Sequence, residues 1–252
     1  MLSGRYPHEN EVWTNSHMLD SGIPTFAHAM GAGGYRPVLV GRMHSVGPDQ
    51  LHGYVERLVG DHGANRSGGK DNGGHGAGGA GPTRSSLQQS GHGQSAYQVH
   101  DEDVTAATIH YLDRLGVQKR AGQSAEPFSL SVGFMLPHQP FIARREDYER
   151  YFHTVPPPQT LQAFGEHLHP HIKYWREMCD ITEVSEAEIK RSRAAYWALV
   201  YRMDAMIGQI LAALRENDLE DNTLVVYSSD HGEQVGEHGL WWKQTFYEDS
   251  VK

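Results

Sequence analysis

Three groups of polar residues with acid–base or anion-binding chemistry each follow a short apolar run of the sequence. They are Gly41-Arg42-Met43-His44, Pro137-His138-Gln139-Pro140 and Ser229-Asp230-His231-Gly232-Glu233. The apolar runs are predicted strands, and ligands of open parallel sheets bind at the carboxyl ends of the strands. A single histidine in such a place is more often a hydrogen-bonded structural residue. Three groups in the same topological position favour a functional site.

The adjacent Asp230 and His231 could bind a divalent cation. A carboxylate oxygen and an imidazole nitrogen suit such a cation, but two ligands complete only half of a coordination shell. The alternative interpretation is an Asp-His-Gly turn, in which the aspartate caps the backbone and Gly232 supplies a positive φ.

Other residues of these groups could bind an anion and move protons. Arg42 and Lys243 carry positive charges that could hold the oxygens of a tetrahedral anion, although the alternative for each is a solvated surface charge. His44 and His138 can exchange protons near neutral pH as general acid or base. A cation, positive charges and proton donors together indicate hydrolysis of a phosphate or sulfate ester.

The elements that must position these residues alternate between strand and helix. The pattern predicts a helix over Thr25–Gly33, strands at Val38–Val40, Phe128–Phe134 and Leu224–Tyr227, a helix opened by Asp101-Glu102-Asp103, and a helix opened by a capping box of Ser185 and Glu188. Such alternation is typical of a parallel sheet covered by helices. The predicted fold class is therefore α/β, a three-layer sandwich with a mainly parallel sheet whose three strands are parallel members of one sheet.

One segment lacks the residues to fold by itself. Residues 60–93 contain 12 glycines in 34 positions and almost no apolar side chain. Such a composition cannot offset the entropy of ordering the chain. The sequence therefore predicts a disordered loop over 60–93 within a single domain spanning 1–252.

Composition excludes several classes of partner. The 252 residues hold 22 Lys+Arg and 31 Asp+Glu, a formal charge of −9, which argues against nucleic acid or an anionic membrane as partner. No apolar run approaches the ~18 residues of a membrane span, and no signal peptide is recognised, which favours the cytoplasm. The single cysteine, Cys179, excludes an internal disulfide.

The motifs, in this order, closely resemble the sulfatase family of the alkaline phosphatase superfamily. Besides the three groups above, the matching segments are Leu2-Ser3-Gly4-Arg5-Tyr6-Pro7-His8 and Gly236-Glu237-His238-Gly239-Leu240 through Lys243. The run Gly47-Pro48-Asp49-Gln50-Leu51-His52-Gly53 is most similar to choline-sulfatase-like bacterial members.

The resemblance implies a hydrolase of sulfuric acid esters with an alkaline-phosphatase-like fold. It implies one divalent metal ion, Ca²⁺ before Mn²⁺ or Mg²⁺, and a formylglycine nucleophile made within a C/S-x-P-x-R motif. That motif is absent from the 252 residues, and Cys179 lacks its proline and arginine. We therefore expect an internal fragment, incomplete at both ends, or a shortened homologue, inactive as it stands.

The resemblance also assigns roles by position. Asp230 and His231 match the metal-binding pair, and Lys243 matches a lysine that contacts the sulfate. His138 matches the histidine that donates a proton towards the leaving oxygen, and His44 matches one that assists the formylglycine hydrate.

Arg42 departs from the family pattern, because most relatives have lysine there. Arginine can hold an anion but cannot release a proton near neutral pH, so only charge stabilisation is expected of it.

Three functional hypotheses remain from the sequence. The first is a metal-dependent sulfatase acting on a small sulfate ester. The second is a phosphonate or phosphate-ester hydrolase of the same superfamily, because the same positive charges accept both anions. The third is a non-catalytic remnant that binds an anion or a metal. The sequence leaves open the organic part of the substrate and the oligomeric state.

Overall fold

A computed structural model describes residues 2–61, 81–123 and 126–251. The helices are α1 (Pro7–Asn10), α2 (Phe26–Ala32), α3 (Arg84–Gln88), α4 (Ala96–Arg120), α5 (Arg145–Phe152), α6 (Pro170–Met178), α7 (Glu186–Glu216) and α8 (Glu248–Val251), with 3₁₀ turns at Glu220–Asn222 and Glu237–Gly239. The strands are β1 (Arg36–Gly41), β2 (Glu56–Arg57), β3 (Gly91–His92), β4 (Phe128–Gly133) and β5 (Ile142–Ala143). Among the helices of these ranges, none has the length and apolar character needed to cross a membrane.

The chain forms two compact units. The first comprises the described residues of Met1–Gly74, Ala96–Met135 and Ala205–Val225. The second comprises those of His75–Ser95, Leu136–Asp204 and Val226–Lys252.

The first unit is built on a parallel three-stranded sheet of order β2-β1-β4. Successive residues of β1 face opposite sides of the sheet, as in any strand. Val38 and Val40 therefore pack with Val104 and Tyr111 of α4, whereas Leu39 packs on the other side with Ala27 of α2 and Tyr54. Helix, sheet and helix make three layers, which explains why β1 is apolar on both faces.

The second unit is organised around the first part of α7. Arginines of this helix bind neighbouring segments: Arg191 donates to the Ser90 carbonyl at 2.7 Å, and Arg202 pairs with Asp147 of α5 at 2.6 Å. A short parallel ladder joins β3 to β5. The arginine contacts thus join α7 to Ser90, just before β3, and to α5.

Several sequence predictions are confirmed. The α/β class and the strands at Val38–Val40 and Phe128–Phe134 are observed, and β1 and β4 pair in parallel with Val38 opposite Leu130. The capping box is present, because the Ser185 backbone N–H donates to Glu188 at 3.0 Å and the Glu188 N–H donates to the Ser185 hydroxyl at 3.3 Å.

The predicted third strand, Leu224–Tyr227, is wrong. This segment has no strand assignment, and its side chains are 89%, 54%, 77% and 71% exposed. Apolar composition alone predicted the strand, but a strand also needs a neighbour whose backbone groups pair with its own. No such ladder is found for it within the part of the chain that the structure describes.

The predicted start of the helix at Asp101 is also wrong, because α4 begins at Ala96. Asp101 is fully buried in the second turn and does not act as an exposed charge at the helix terminus. Its carboxylate instead accepts two hydrogen bonds from the Met135 backbone N–H, at 2.8 and 3.0 Å.

The disorder predicted for 60–93 is wrong for residues 81–93, and residues 62–80 lie outside the described ranges. Residues 81–93 include α3 and β3, and Leu87 is fully buried. Residues 81–93 are held by α7, through Arg191 and through the ion pair of Arg84 with Glu188 at 2.9 Å. A glycine count does not predict these long-range contacts.

Gly133, at the end of β4, offers a sharp test of this packing. A Cβ built there would lie 1.8 Å from the Arg42 carbonyl oxygen, so Gly133→Ala must displace backbone. We expect it to reduce the free energy of unfolding by about 3 kcal/mol, measured by urea denaturation. Gly208→Ala in α7 is the control: no atom lies within 4 Å of its added Cβ, and alanine favours a helix by about 1 kcal/mol. Equal effects of the two substitutions would contradict the close approach.

Candidate active site

The loop from Gly232 to Lys243 turns back on itself and returns Lys243 to His231. The Gln234 N–H donates to the Trp242 carbonyl at 3.2 Å, and the Gly236 N–H donates to the Leu240 carbonyl at 2.7 Å. The loop is anchored to α7, because the indole N–H of the buried Trp241 donates to Ser192 at 3.3 Å. The position of Lys243 is thus set by buried contacts.

His231 lies at the centre of a small polar cluster. Its Nδ1 donates to the Gly232 carbonyl at 2.7 Å, which leaves a lone pair on Nε2. The Lys243 Nζ lies 2.9 Å from this Nε2, and a carboxylate oxygen of Asp230 lies 3.5 Å from it. Asp230 is exposed, with 73% of its side chain accessible. The structure therefore brings three of the predicted site residues together.

Glu233 holds this loop from inside. Its carboxylate accepts hydrogen bonds from the backbone N–H groups of Trp242 at 2.5 Å and Val235 at 3.2 Å. Burial raises the pKa of Glu233 to about 7, although these hydrogen bonds and the charge of Lys243 act in the opposite direction. No role was predicted for Glu233, whose only sequence signal is a carboxylate directly after Asp230-His231-Gly232.

His138 belongs to the same compact unit as Asp230, His231 and Lys243. It is held by a short contact of its Nδ1 with the Gln139 carbonyl at 2.8 Å. That hydrogen bond places the proton on Nδ1 and fixes the tautomer of the ring. Nε2 is therefore the ring atom that can exchange a proton with a ligand.

Arg42 and His44 lie in the other compact unit, just after β1. The Arg42 backbone N–H donates to the Gly133 carbonyl at 2.8 Å, which ties this turn to the end of β4. Its guanidinium lies 3.0 Å from the Met135 sulfur and 3.4 Å from the His44 Nδ1. His44 adopts a positive φ of 55°, so the backbone turns sharply at this residue. That His44, His138, Asp230, His231 and Lys243 share one pocket at the carboxyl edge of the sheet stays a prediction from the sequence.

A buried pair that the sequence analysis missed lies near the end of β4. His100 Nδ1 contacts the Asp101 carboxylate at 2.9 Å, and His100 Nε2 contacts the Gly60 carbonyl at 2.8 Å. Because Asp101 also binds the Met135 N–H, the pair fixes the backbone that leaves β4. No sequence signal separated these residues from the other polar side chains of the helix.

The pair makes stability depend on pH. Burial lowers the pKa of His100, but the hydrogen bonds to Asp101 and Gly60 outweigh it and leave the pKa raised. His100 therefore stabilises the fold fully below its unfolded value of 6.5, and this contribution is lost as the pH rises through the raised pKa. We expect the stability difference between the wild type and His100→Gln to shrink between about pH 5.5 and about pH 8.5, measured by urea denaturation. A difference that widens over this range would contradict the assignment.

The described residues only partly fit a divalent metal. Asp230 supplies a carboxylate, and the Gly232 carbonyl orients the ring of His231 so that its lone pair is on Nε2. The Lys243 Nζ lies 2.9 Å from that Nε2, so a metal ion could bind there only after the lysine had turned aside. A cation such as Ca²⁺ takes about 6–8 ligands, and no group of three or more His, Cys, Asp or Glu residues suited to a metal occurs in the described ranges. The donor types fit, but the two residues do not complete a site.

Cys179 has no features of a nucleophile. It lies at the end of α6 with 2% of its surface exposed. Burial raises the pKa of its thiol to about 11, so the thiol stays protonated at neutral pH. This agrees with its lack of the family's nucleophile motif.

A family model described as Sulfatase matches residues 1–251. The chain is 32% identical over 267 residues to the choline-sulfatase of Rhizobium meliloti (strain 1021), covering 100% of this chain and 50% of that protein. It is 28% identical over 279 residues to arylsulfatase K of Homo sapiens, covering 100% of this chain and 46% of that protein. The chain thus spans about half the length of these relatives.

Solved structures of similar fold include the phosphonate monoester hydrolase of Agrobacterium radiobacter. The TM-score is 0.69 at 22% identity, with 99% of this chain and 55% of that chain covered. The putative sulfatase yidJ from Bacteroides fragilis gives a TM-score of 0.60 at 18% identity, with 100% and 54% covered. These TM-scores establish a shared α/β fold.

Proposed function

Because the chain belongs to the sulfatase family, we propose that it carries part of the active site of an enzyme that hydrolyses sulfuric acid esters. The observation that supports this most strongly is the contact of Lys243 with His231, 2.9 Å apart and adjoined by Asp230. The lysine charge suits an anionic ester, whereas the carboxylate of Asp230 suits a cation that would bind beside it.

Lys243 is proposed to hold the non-bridging oxygens of the sulfate. Its ammonium group lies 2.9 Å from the Nε2 lone pair of His231, a contact that positions the charge before a ligand arrives. A positive charge positioned in advance stabilises negative charge that develops on the oxygens during reaction. Little free energy is therefore needed to reposition the lysine when the anion binds.

Two histidines are proposed to move protons. His138, in its imidazolium form with a proton on each ring nitrogen, would give the Nε2 proton to the leaving oxygen, because its Nδ1–H is engaged with the Gln139 carbonyl. His44 would assist the departure of sulfate from the nucleophile. Arg42 would stabilise charge beside His44, since an arginine stays protonated at neutral pH.

Asp230 and His231 are proposed to contribute to the shell of one divalent metal, with Ca²⁺ before Mn²⁺ or Mg²⁺. When bound, such an ion supplies Lewis-acid stabilisation of the ester oxygens. Its remaining ligands must come from groups other than these two residues. The family's formylglycine nucleophile belongs to this proposal too, although no C/S-x-P-x-R motif occurs in the 252 residues.

A phosphonate or phosphate-ester hydrolase is the second candidate. The fold is shared with phosphonate monoester hydrolases, and a lysine donates hydrogen bonds equally well to the oxygens of a sulfate or a phosphate ester. The relatives of higher identity are named as sulfatases, which favours the sulfate ester. A non-catalytic remnant that binds an anion or a metal is the third candidate.

The test compares leaving-group-matched substrates. We define the extended polypeptide as these 252 residues with the further length that the relatives have on either side, including an upstream C-x-P-S-R segment whose cysteine is converted to formylglycine. We expect its kcat/KM for 4-nitrophenyl sulfate to exceed that for 4-nitrophenyl phosphate and for a phosphonate monoester of 4-nitrophenol. Preference for either phosphorus ester would overturn the proposal in favour of the second candidate.

A further inference from the structure

A buried arginine of α7, Arg193, has no part in the function proposed above. It is 6% exposed, and its guanidinium reaches two loops of the second unit. Nε donates to the Pro156 carbonyl at 2.8 Å, and Nη1 donates to the Val235 carbonyl at 2.6 Å and to the Glu237 carboxylate at 3.2 Å. A buried charge is stable only where its partners are held in good geometry. These contacts therefore fix Val235 and Glu237 relative to α7.

The residues that Arg193 binds lie at the turn of the loop from Gly232 to Lys243. Val235 has a φ of 45°, and Gly236 follows it with a φ of 94°. A β-branched residue rarely adopts a positive φ, and such a backbone persists only where the surrounding structure determines it. The hydrogen bond from Arg193 to the Val235 carbonyl supplies part of that restraint.

Glu237 extends the restraint to a second loop. Its carboxylate oxygens accept hydrogen bonds from the backbone N–H groups of Gln159 at 3.1 Å and Thr160 at 2.8 Å. Arg193 thus binds Pro156 directly and the two residues at 159 and 160 through Glu237. The turn is held between α7 and this second loop.

A series of hydrogen bonds leads from the turn to Lys243. Val235 is bonded through its carbonyl to Arg193 and through its N–H to the Glu233 carboxylate, at 3.2 Å. The same carboxylate oxygen accepts from the Trp242 N–H at 2.5 Å. Because Lys243 directly follows Trp242, a shift of Val235 would move the group that holds the backbone beside the lysine.

We propose that Arg193 is a positioning residue for the lysine that binds the sulfate. It holds the turn at Val235. Through Glu233, that turn sets the direction in which the backbone presents Lys243 to His231. The inference rests on the proposed function for the sulfate role of Lys243, but the placement of this lysine can be measured without sulfate.

The chemistry of arginine suits this role and provides the variants that test it. A planar guanidinium presents five N–H donors in a fixed geometry, so one side chain binds several acceptors at once. Arg193→Lys keeps the charge but only one nitrogen, and it should retain part of the restraint. Arg193→Met removes the charge and every donor, and it should abolish the restraint.

The experiment measures the placement of Lys243 and the affinity for sulfate separately, in the 252-residue chain. Placement is measured in sulfate-free buffer by the nuclear Overhauser effect between the Lys243 ε-methylene protons and the His231 ring protons. Affinity is measured by calorimetric titration with inorganic sulfate at low ionic strength. We expect Arg193→Met to lose the Overhauser effect and to bind sulfate about tenfold more weakly, as is typical of residues that act through a network of contacts. Arg193→Lys should give intermediate values of both.

Arg202→Met is the matched control. Arg202 is also an arginine of α7, but its side chain binds Glu146 and Asp147 of α5, and no contact with the loop from Gly232 to Lys243 is found for it among the described residues. Arg202→Met should keep the Overhauser effect and the wild-type affinity, and urea denaturation verifies the fold of each variant. Equal losses in Arg202→Met and Arg193→Met would reflect general destabilisation and overturn the inference.

The two measurements separate this inference from the proposed function. A folded Arg193→Met variant that keeps the Overhauser effect overturns the positioning role, and so does a wild type that lacks the effect. If Arg193→Met does not fold, an Arg193→Lys variant with the full effect and wild-type affinity overturns it equally. A wild type that shows the effect but binds no sulfate overturns the sulfate role of Lys243, and loss of the effect in Arg193→Met then still supports the positioning role.

Discussion

The 252-residue chain, supplied with Ca²⁺ or Mn²⁺, is expected to leave a chromogenic aryl sulfate unhydrolysed. The proposed reaction needs a nucleophile that attacks sulfur, and neither a C/S-x-P-x-R motif nor a reactive cysteine is present in these residues. Groups that act as a unit are strongly non-additive, and loss of a nucleophile alone can cost about 10⁶ in rate. The remaining positive charges and histidines should therefore produce no measurable turnover.

The extended polypeptide is the positive control for this prediction. It should hydrolyse the same substrate under the same conditions, because the nucleophile and the further metal ligands are then supplied. The decisive negative result would be turnover by the 252-residue chain that disappears in its own His138→Ala variant. That outcome would show that the chain carries a nucleophile of its own.

The second large effect is expected from His138→Ala in the extended polypeptide. General acid catalysis contributes about 10²–10⁴ in rate, so kcat/KM should fall by that factor for an ester with a basic leaving group. The leaving oxygen of a 4-nitrophenyl ester needs less protonation, so kcat/KM for that ester should fall by a smaller factor. Measured kcat/KM values over a series of phenyl sulfates should therefore depend more steeply on leaving-group pKa in the variant.

His153→Ala is the matched control, because this histidine is exposed at the end of α5 and contacts only the Phe152 ring among the described ring contacts. His153→Ala should leave kcat/KM unchanged for every phenyl sulfate of the series. Uniform losses across all leaving groups in His138→Ala would show that His138 positions the substrate and does not protonate it.

The sequence predicted those parts of the fold that depend on local pattern. Val38, Leu39 and Val40 are apolar because α4 covers one face of β1 and α2 the other, so an uninterrupted apolar run is a sound strand signal. The same signal failed at Leu224–Tyr227, whose side chains are exposed. Pairing with a neighbour is a tertiary property, and composition does not report it.

The candidate site was predictable in its residue types but not in its geometry. The contact of Lys243 with His231 depends on a loop in which Val235 and Trp242 take positive φ values of 45° and 67°. Valine and tryptophan rarely adopt that conformation, so no sequence rule places them there. The loop closes because Glu233 accepts hydrogen bonds from the backbone of both residues, and that contact is visible only in three dimensions.

The most direct test of the central claim is a titration of the 252-residue chain with inorganic sulfate at low ionic strength. It compares the wild type with Lys243→Met and with the control Lys190→Met, whose exposed lysine on α7 lies over the Phe152 ring. A charge-assisted contact contributes about 1.5–3 kcal/mol, so Lys243→Met should weaken binding by about 10- to 100-fold. We predict one sulfate-binding site in the wild type, the 10- to 100-fold weaker affinity in Lys243→Met, and wild-type affinity in Lys190→Met. Equal affinity of the wild type and Lys243→Met, or no sulfate binding by either, would contradict it.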